Sequence, residues 1–222
     1  MSNSLRVRSG IGPLEDRLSK SARRIWDAPD FRELYPAYLV AQHTMVRASV
    51  PLMEAALEQV LRARPADPVY AELEHYLRGH IFEETGNDEW LLEDLEAVGV
   101  PRSRALDALP GRVVAELVGA QYYFIRHYDP VCLLGYFATI EGYPPAEDAA
   151  RDAAERSGYP PEAFHTIRRH ANLAPFNKGA LDELLDSLPL TERQLTAVNL
   201  NAVMTMEAVI EFLDAVRPEP SA

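Results

Sequence analysis

Apolar residues recur along most of the chain at alternating spacings of three and four, which is the period of a helix with one buried face. One such segment covers residues 39–60 and another covers residues 77–98. Pro51 predicts a bend in the first segment, and Gly99 followed by Pro101 ends the second. No stretch of the sequence shows the sustained period of two that a sheet requires. The pattern therefore predicts an all-α bundle of seven or eight helices.

The remaining helices and the ends of the chain follow from the same pattern. Further helices are predicted at about 103–127, 130–142, 146–157, 162–188 with an interruption near Pro175, and 191–216. Thr191 and Gln194 form a capping-box pattern at the start of the last one. Polar or proline-rich residues at 1–13 and 217–222 predict flexible tails, which leaves residues 14–216 as a single domain.

Charge and composition exclude several classes of function. The 222 residues carry 34 acidic against 22 Lys and Arg side chains, a formal charge of −12, so nucleic acid is not an expected partner. No apolar run reaches the roughly 20 residues of a membrane span, and no secretory signal is evident, so a cytoplasmic protein is expected. The single cysteine, Cys132, lies in an apolar stretch and is expected to be an inert core thiol.

Polar residues interrupt the apolar stripes at positions that should face the core. His80, Glu84 and Asn87 follow spacings of four and three in "HIFEETGNDEW", and Glu141 ends an apolar stripe that contains Phe137. Burying a polar group without a partner costs roughly 1–3 kcal/mol, so these side chains must have partners.

A third polar group precedes a run of leucines. His170, Ala174 and Asn177 lie at the same inward spacing. Carboxylates and imidazoles that converge from several helices are the ligands of dinuclear iron and manganese sites in bundles. Each residue also has a structural interpretation: Glu84 as the partner of an arginine, His170 as a core histidine, and Asn177 as a helix cap.

Four segments together, over about residues 30–215, resemble the heme-oxygenase-like diiron oxidase superfamily, also called iron-containing redox enzymes. They are "HTMVRASVPLMEAAL", "HIFEETGNDEWLLEDLEAVG", "HYDPVCLLGYFATIEGYP" and "HANLAPFNKGALDELL". The resemblance extends more distantly to thiaminase-like and pyrroloquinoline-quinone-synthase-like proteins. It implies a bundle of helices around a central pocket, with metal ligands in the pattern Glu-x-x-His, a lone Glu, and His-x-x-x-Asp-x-x-His.

Only half of the implied metal ligands are present. Three positions match: Glu84, Glu141 and His170. The other three carry Asn87 in place of His, Ala174 in place of Asp and Asn177 in place of His. An amide is a poor substitute for imidazole and alanine provides no ligand, so two metal ions would be under-coordinated. The expectation is no metal cofactor; the alternative is iron, either as a dinuclear centre or as a single ion held by the three matching residues with His80.

Without a metal, the pocket can still support acid–base chemistry. Glu84 and Glu141, buried near each other and near His170, would raise each other's pKa and act as general acid and base. The candidate catalytic residues are therefore Glu84, Glu141 and His170. The expected lining of the pocket comprises His43, His80, Asn87, Tyr122, Tyr123, Ala174 and Asn177.

Three functions remain open from the sequence. The first is a metal-independent or single-metal enzyme acting on a small amino-acid-derived or fatty-acid-like molecule in bacterial specialised metabolism, as the resemblance implies. The second is a di-iron oxidase or oxygenase, and the third is a non-catalytic relative that binds a metabolite or a protein. A small-molecule substrate is expected, no membrane partner is expected, and a homodimer is common for such bundles.

Overall fold

Helices make up nearly all of the chain that the computed structural model describes, which is residues 1–63, 67–143 and 148–216, with residues 63 and 174–176 described by their backbone alone. In these ranges the α-helices are α1 (Asn3–Ile11), α2 (Glu15–Trp26), α3 (Phe31–Val46), α4 (Ser49–Ala63), α5 (Pro68–Glu84), α6 (Asn87–Ala97), α7 (Arg102–Leu106), α8 (Arg112–His127), α9 (Leu133–Ile140), α10 (Ala149–Ser157), α11 (His165–Ser187) and α12 (Glu192–Val216). Short 3₁₀ turns precede α2, α9 and α11. Within the same ranges, no helix combines the length and apolar character of a membrane span.

The predicted all-α bundle is confirmed, and it contains more helices than expected because several predicted segments are interrupted. Residues 39–60 are divided between α3 and α4 at Arg47 and Ala48. Pro51 lies in the first turn of α4, where a backbone N–H has no partner within the helix and its loss costs little. The prediction that Pro51 bends one long helix is therefore wrong.

A second interruption separates two residues of the predicted site. Gly86 has φ 92°, a left-handed conformation that glycine adopts readily, and it lies between α5 and α6. Glu84 is the last residue of α5 and Asn87 is the first of α6. The expectation that His80, Glu84 and Asn87 project from one face of one helix is therefore wrong for Asn87.

The N-terminal residues form a helix that packs on the domain. Val7 and Ile11 of α1 are fully buried, and the Asn3 side-chain amide donates hydrogen bonds of 2.8 and 3.1 Å to the carbonyls of Leu185 and Leu188. The prediction of a flexible tail at residues 1–13 is wrong, because two apolar residues one turn apart are enough to fix a short helix on the core. The predicted tail at 217–222 lies outside the described residues.

Helices α11 and α12 contradict one prediction from the sequence and confirm another. Helix α11 is continuous through Pro175, so the predicted interruption there does not occur. The capping box before α12 is confirmed, because Gln194 Oε1 accepts the Thr191 N–H at 3.0 Å and Thr191 Oγ1 accepts the Gln194 N–H at 3.2 Å.

Helices α9 and α12 cross in direct backbone contact. A Cβ atom at Gly135 would lie 2.3 Å from the Val198 carbonyl oxygen and 2.7 Å from the Ala202 nitrogen. The Thr139 hydroxyl also donates a 3.0 Å hydrogen bond to the Ala202 carbonyl. Since α9 leads directly into Glu141, this contact fixes the position of that carboxylate.

A buried carboxylate fixes the start of α11. Asp94 of α6 is fully buried and accepts the backbone N–H groups of His165 at 2.9 Å and Thr166 at 3.1 Å. These N–H groups have no partner within the helix, so Asp94 satisfies them from another element. Burial raises the pKa of Asp94 to about 6, although these hydrogen bonds oppose the rise.

We predict that Gly135→Ala destabilises the protein by about 1–3 kcal/mol, because the added methyl group forces α9 away from α12. Gly119→Ala is the matched control: Gly119 lies in α8 and an added Cβ there meets nothing within 4 Å. It should be neutral or stabilising by up to about 1 kcal/mol. Urea denaturation of both variants measures the difference, and equal stabilities would contradict the close crossing.

We also predict a pH dependence that originates at Asp94. Its folded-state pKa of about 6 exceeds the ordinary 3.8, so the folded protein binds the proton more tightly than the unfolded chain. This stabilising contribution is complete below pH 3.8 and is lost as the pH rises through about 6, with a slope of at most about 1.4 kcal/mol per pH unit. The Asp94→Asn variant should lack this pH-dependent contribution to stability. Denaturation of both proteins across this range tests the prediction, and a difference in stability that does not change with pH would contradict it.

Candidate active site

A cavity of about 660 Å³ lies among the helices and is referred to below as the central cavity. Helices α2, α3, α4, α5, α9, α11 and α12 contribute to its walls, and its volume is in the range of small-molecule sites. Most of the lining is apolar. The main acidic and basic side chains in the wall are His80, Glu84, Glu141 and His170.

A buried hydrogen bond connects His80 of α5 with Glu141 at the end of α9. His80 Nε2 lies 2.9 Å from Glu141 Oε1, and the side chains are 4% and 12% exposed. The imidazole is stacked on the Tyr76 ring, with centroids 5.2 Å apart, and Phe137 contacts it edge-on at 5.0 Å. These two aromatic rings fix the orientation of the imidazole, and the imidazole in turn fixes the carboxylate.

Burial and the charges of neighbouring groups shift the pKa values of His80 and Glu84. Burial favours the neutral ring of His80, but the hydrogen bond and negative charge of Glu141, together with the charge of Glu84, outweigh it and raise the His80 pKa. Burial is also the main cause of a raised pKa at Glu84; the charge of Glu141 adds to it and that of His80 opposes it. His80 and Glu84 therefore hold their protons at a higher pH than the same groups in water.

The two oxygens of the Glu141 carboxylate differ in their hydrogen bonding. Oε1 contacts His80, whereas Oε2 is buried and has no hydrogen-bond partner among the described residues. Glu141 lines the central cavity. A buried carboxylate oxygen without a donor is costly, so Oε2 is the atom of this carboxylate that still requires a hydrogen-bond donor.

Helix α11 contributes two of the predicted residues to the central cavity. His170 and Asn177 both line it. Burial lowers the pKa of His170, which favours the neutral imidazole, and the ring lies edge-on to Trp90 with centroids 6.2 Å apart. The side chain of Ala174 lies outside the described residues.

His43 and Asn87 are buried but are not among the residues that line the central cavity. Each is 1% exposed, and neither the ring nitrogens nor the amide atoms have a hydrogen-bond partner among the described residues. Asn87 lies close enough to Glu84 to lower its pKa. His43 has a lowered pKa because it is buried and lies near Arg47. Assigning these two residues to the pocket lining was therefore wrong.

Tyr122 and Tyr123 of α8 are also absent from the lining of the central cavity. The buried face of α8 includes Leu117, Gln121 and Ile125. A step of one residue turns a side chain by about 100°, so Tyr122 packs at the side of this face, where it is partly buried. Tyr123 is 63% exposed, and the prediction that these tyrosines line the pocket is wrong.

Sequence reasoning missed the contribution of α2 and α3. Trp26 of α2 and Tyr38 and Gln42 of α3 line the central cavity. A second stripe in the sequence could have predicted this contribution. It follows steps of four, three and four through Tyr38, Gln42, Met45 and Ser49. This stripe lies beside the apolar one that contains His43, and Leu39 and Val46 of that neighbouring stripe line the cavity as well.

The side chains present do not fit the metal centre that the sequence resemblance implies. Across the described ranges, no three His, Cys, Asp or Glu side chains are placed to hold one metal ion. His80 Nε2, the extra nitrogen donor considered for a single-metal site, contacts Glu141 Oε1 instead. Asn87 and Asn177 provide amides where the implied pattern has imidazoles.

Comparison with solved structures identifies the fold. The first similar structure is a domain of unknown function with a heme oxygenase-like fold from Shewanella denitrificans, with a TM-score of 0.77 and 17% identity over 94% of this chain and 89% of that one. The second is a TenA homolog from Pseudomonas syringae pv. tomato, with a TM-score of 0.71 and 11% identity over 95% of this chain and 90% of that one. No family model and no curated protein matches the sequence. The chain therefore has the heme oxygenase-like fold that the resemblance of its sequence implies.

Proposed function

We propose that this protein is an enzyme that acts on a small organic molecule in the central cavity by acid–base chemistry, without a metal ion. The observation that carries the proposal is the buried hydrogen bond between His80 and Glu141, which leaves Glu141 Oε2 without a partner. The side chains of the wall also support the proposal. Carboxylates and imidazoles are present, but among the described residues they are not arranged as ligands of a common ion.

Glu141 is the general base of the proposed reaction. Its Oε1 is held by His80 at 2.9 Å, so the carboxylate has a fixed orientation. Oε2 then accepts a proton from the bound molecule. His80 is a positioning residue, because it acts through Glu141.

Glu84 is the general acid. Its raised pKa, caused mainly by burial, favours the protonated carboxyl group, which can donate to a ligand atom. Two carboxyl groups in one cavity thereby differ in role, because one is hydrogen-bonded to an imidazole and the other is desolvated. The reaction class is removal of a proton from one atom of the substrate and delivery of a proton to another.

The proposal predicts turnover that does not depend on a metal. Chelator-treated protein is incubated with a small-molecule extract of bacterial cells, and mass spectrometry records which compounds are consumed. Consumption should persist in the chelator and fall by roughly 100-fold or more in Glu141→Gln and Glu84→Gln, since each removes an acid–base group. Glu72→Gln, at an exposed position of α5, is the matched control and should keep full activity.

Two results would contradict this function. One is stoichiometric iron binding after anaerobic reconstitution together with activity that requires the iron. The other is consumption that survives replacement of both Glu84 and Glu141.

A second prediction concerns the His80–Glu141 pair itself. Glu141→Gln removes the negative charge that raises the His80 pKa, so burial should dominate and the pKa should fall. Nuclear magnetic resonance of the imidazole ring during a pH titration measures this change. Glu72→Gln should leave the titration unchanged, and an unaltered His80 pKa in Glu141→Gln would show that the two groups are not coupled.

A further inference from the structure

The described lining of the central cavity contains two carboxyl groups and no lysine or arginine. Glu84 and Glu141 lie in the wall together with the imidazoles of His80 and His170. Burial lowers the His170 pKa, so this ring adds no fixed positive charge. His80 already contacts Glu141. An anionic ligand would therefore find no free cation in this wall, and its charge would be buried at high cost.

The unpaired atom in the wall is an acceptor. Glu141 Oε2 is buried without a partner among the described residues, and an ionised carboxylate can only accept hydrogen bonds. The group that satisfies it must carry an N–H or O–H. A protonated amine does so best, because a hydrogen bond between opposite charges is roughly twice as strong as a neutral one.

Away from the carboxyl groups the wall is largely apolar and rich in aromatic rings. Trp26, Tyr38, Tyr136, Phe137 and Phe212 all line the central cavity. Such a wall favours an aromatic or aliphatic ligand body, which gains free energy in proportion to the apolar surface it buries.

We infer that the substrate is an amine, protonated at neutral pH, attached to an apolar body, with its ammonium group bound between Glu84 and Glu141. This inference rests on the proposed function, since it names the substrate class of the same site. It disfavours fatty acids, because their carboxylate would be a third acidic group in a wall whose described residues include no lysine or arginine.

Binding of three matched probes tests the inference without requiring turnover. Phenylbutylamine, phenylbutanoate and phenylbutanol carry the same phenyl group on a four-carbon chain and differ in the terminal group, which is cationic, anionic and neutral respectively. Calorimetry at neutral pH should give an affinity for the amine at least about tenfold higher than for the acid, with the alcohol between them. Equal or tighter binding of phenylbutanoate would overturn the inference.

Variants assign the selectivity to the two carboxyl groups. Glu141→Gln should weaken phenylbutylamine binding by about tenfold and leave phenylbutanol binding nearly unchanged, because it removes the charge of the carboxylate. Glu84→Gln should weaken amine binding by a smaller factor, because the raised pKa of Glu84 favours the protonated carboxyl group. Glu72→Gln, the exposed control on α5, should bind all three probes like the unaltered protein. Amine affinity that both site variants retain would overturn the inference.

The two proposals fail in different ways. Amine-selective binding without any metal-independent turnover would leave the ligand class standing and remove the catalytic role. Turnover that depends on both carboxyl groups, but only with neutral or anionic compounds, would support the proposed function and overturn the amine inference.

Discussion

The hydrogen bond between His80 and Glu141 is the interaction on which the organisation of the cavity depends. It joins α5 to the end of α9 across 61 positions of sequence, and it is enclosed by aromatic rings. Removing one partner of a buried ion pair typically costs about 3–5 kcal/mol, because the other charge is left without compensation. The stability of this part of the protein therefore depends on one contact.

Two features of the surrounding helices place the groups of the cavity on rigid elements. The backbone contact at Gly135 fixes α9 on α12, and Glu141 follows α9 directly. Asp94 fixes the first turn of α11, from which His170 reaches the same cavity. Rigid elements hold reactive groups more precisely than loops do. The packing of the helices therefore holds this cluster of carboxyl and imidazole groups in place.

The sequence predicted the fold well because helical periodicity and the resemblance both report on burial. It also placed Glu84, Glu141, His80, His170 and Asn177 around one cavity, since a polar residue on an apolar stripe must face other elements. The sequence-based prediction failed for residues whose direction about the helix axis decides whether they face the cavity. Tyr122 and Tyr123 of α8 follow the buried Gln121 by one and two positions, and the left-handed Gly86 separates Asn87 from the helix that carries Glu84. The periodicity of a sequence predicts the buried face of a helix to within about one residue. Whether a residue on that face lines a cavity also depends on which neighbouring helix packs against it.

The corner between α3 and α6 has a consequence for how the molecule moves. His43 and Asn87 are buried there with polar atoms that have no hydrogen-bond partner among the described residues, next to the glycine that ends the turn after α5. Local opening would expose these groups to water and recover hydration that the closed state lacks. The free energy needed to open this corner is therefore lower than for an equally buried apolar corner. Amide hydrogen exchange should be correspondingly faster at the start of α6 than in the middle of α12.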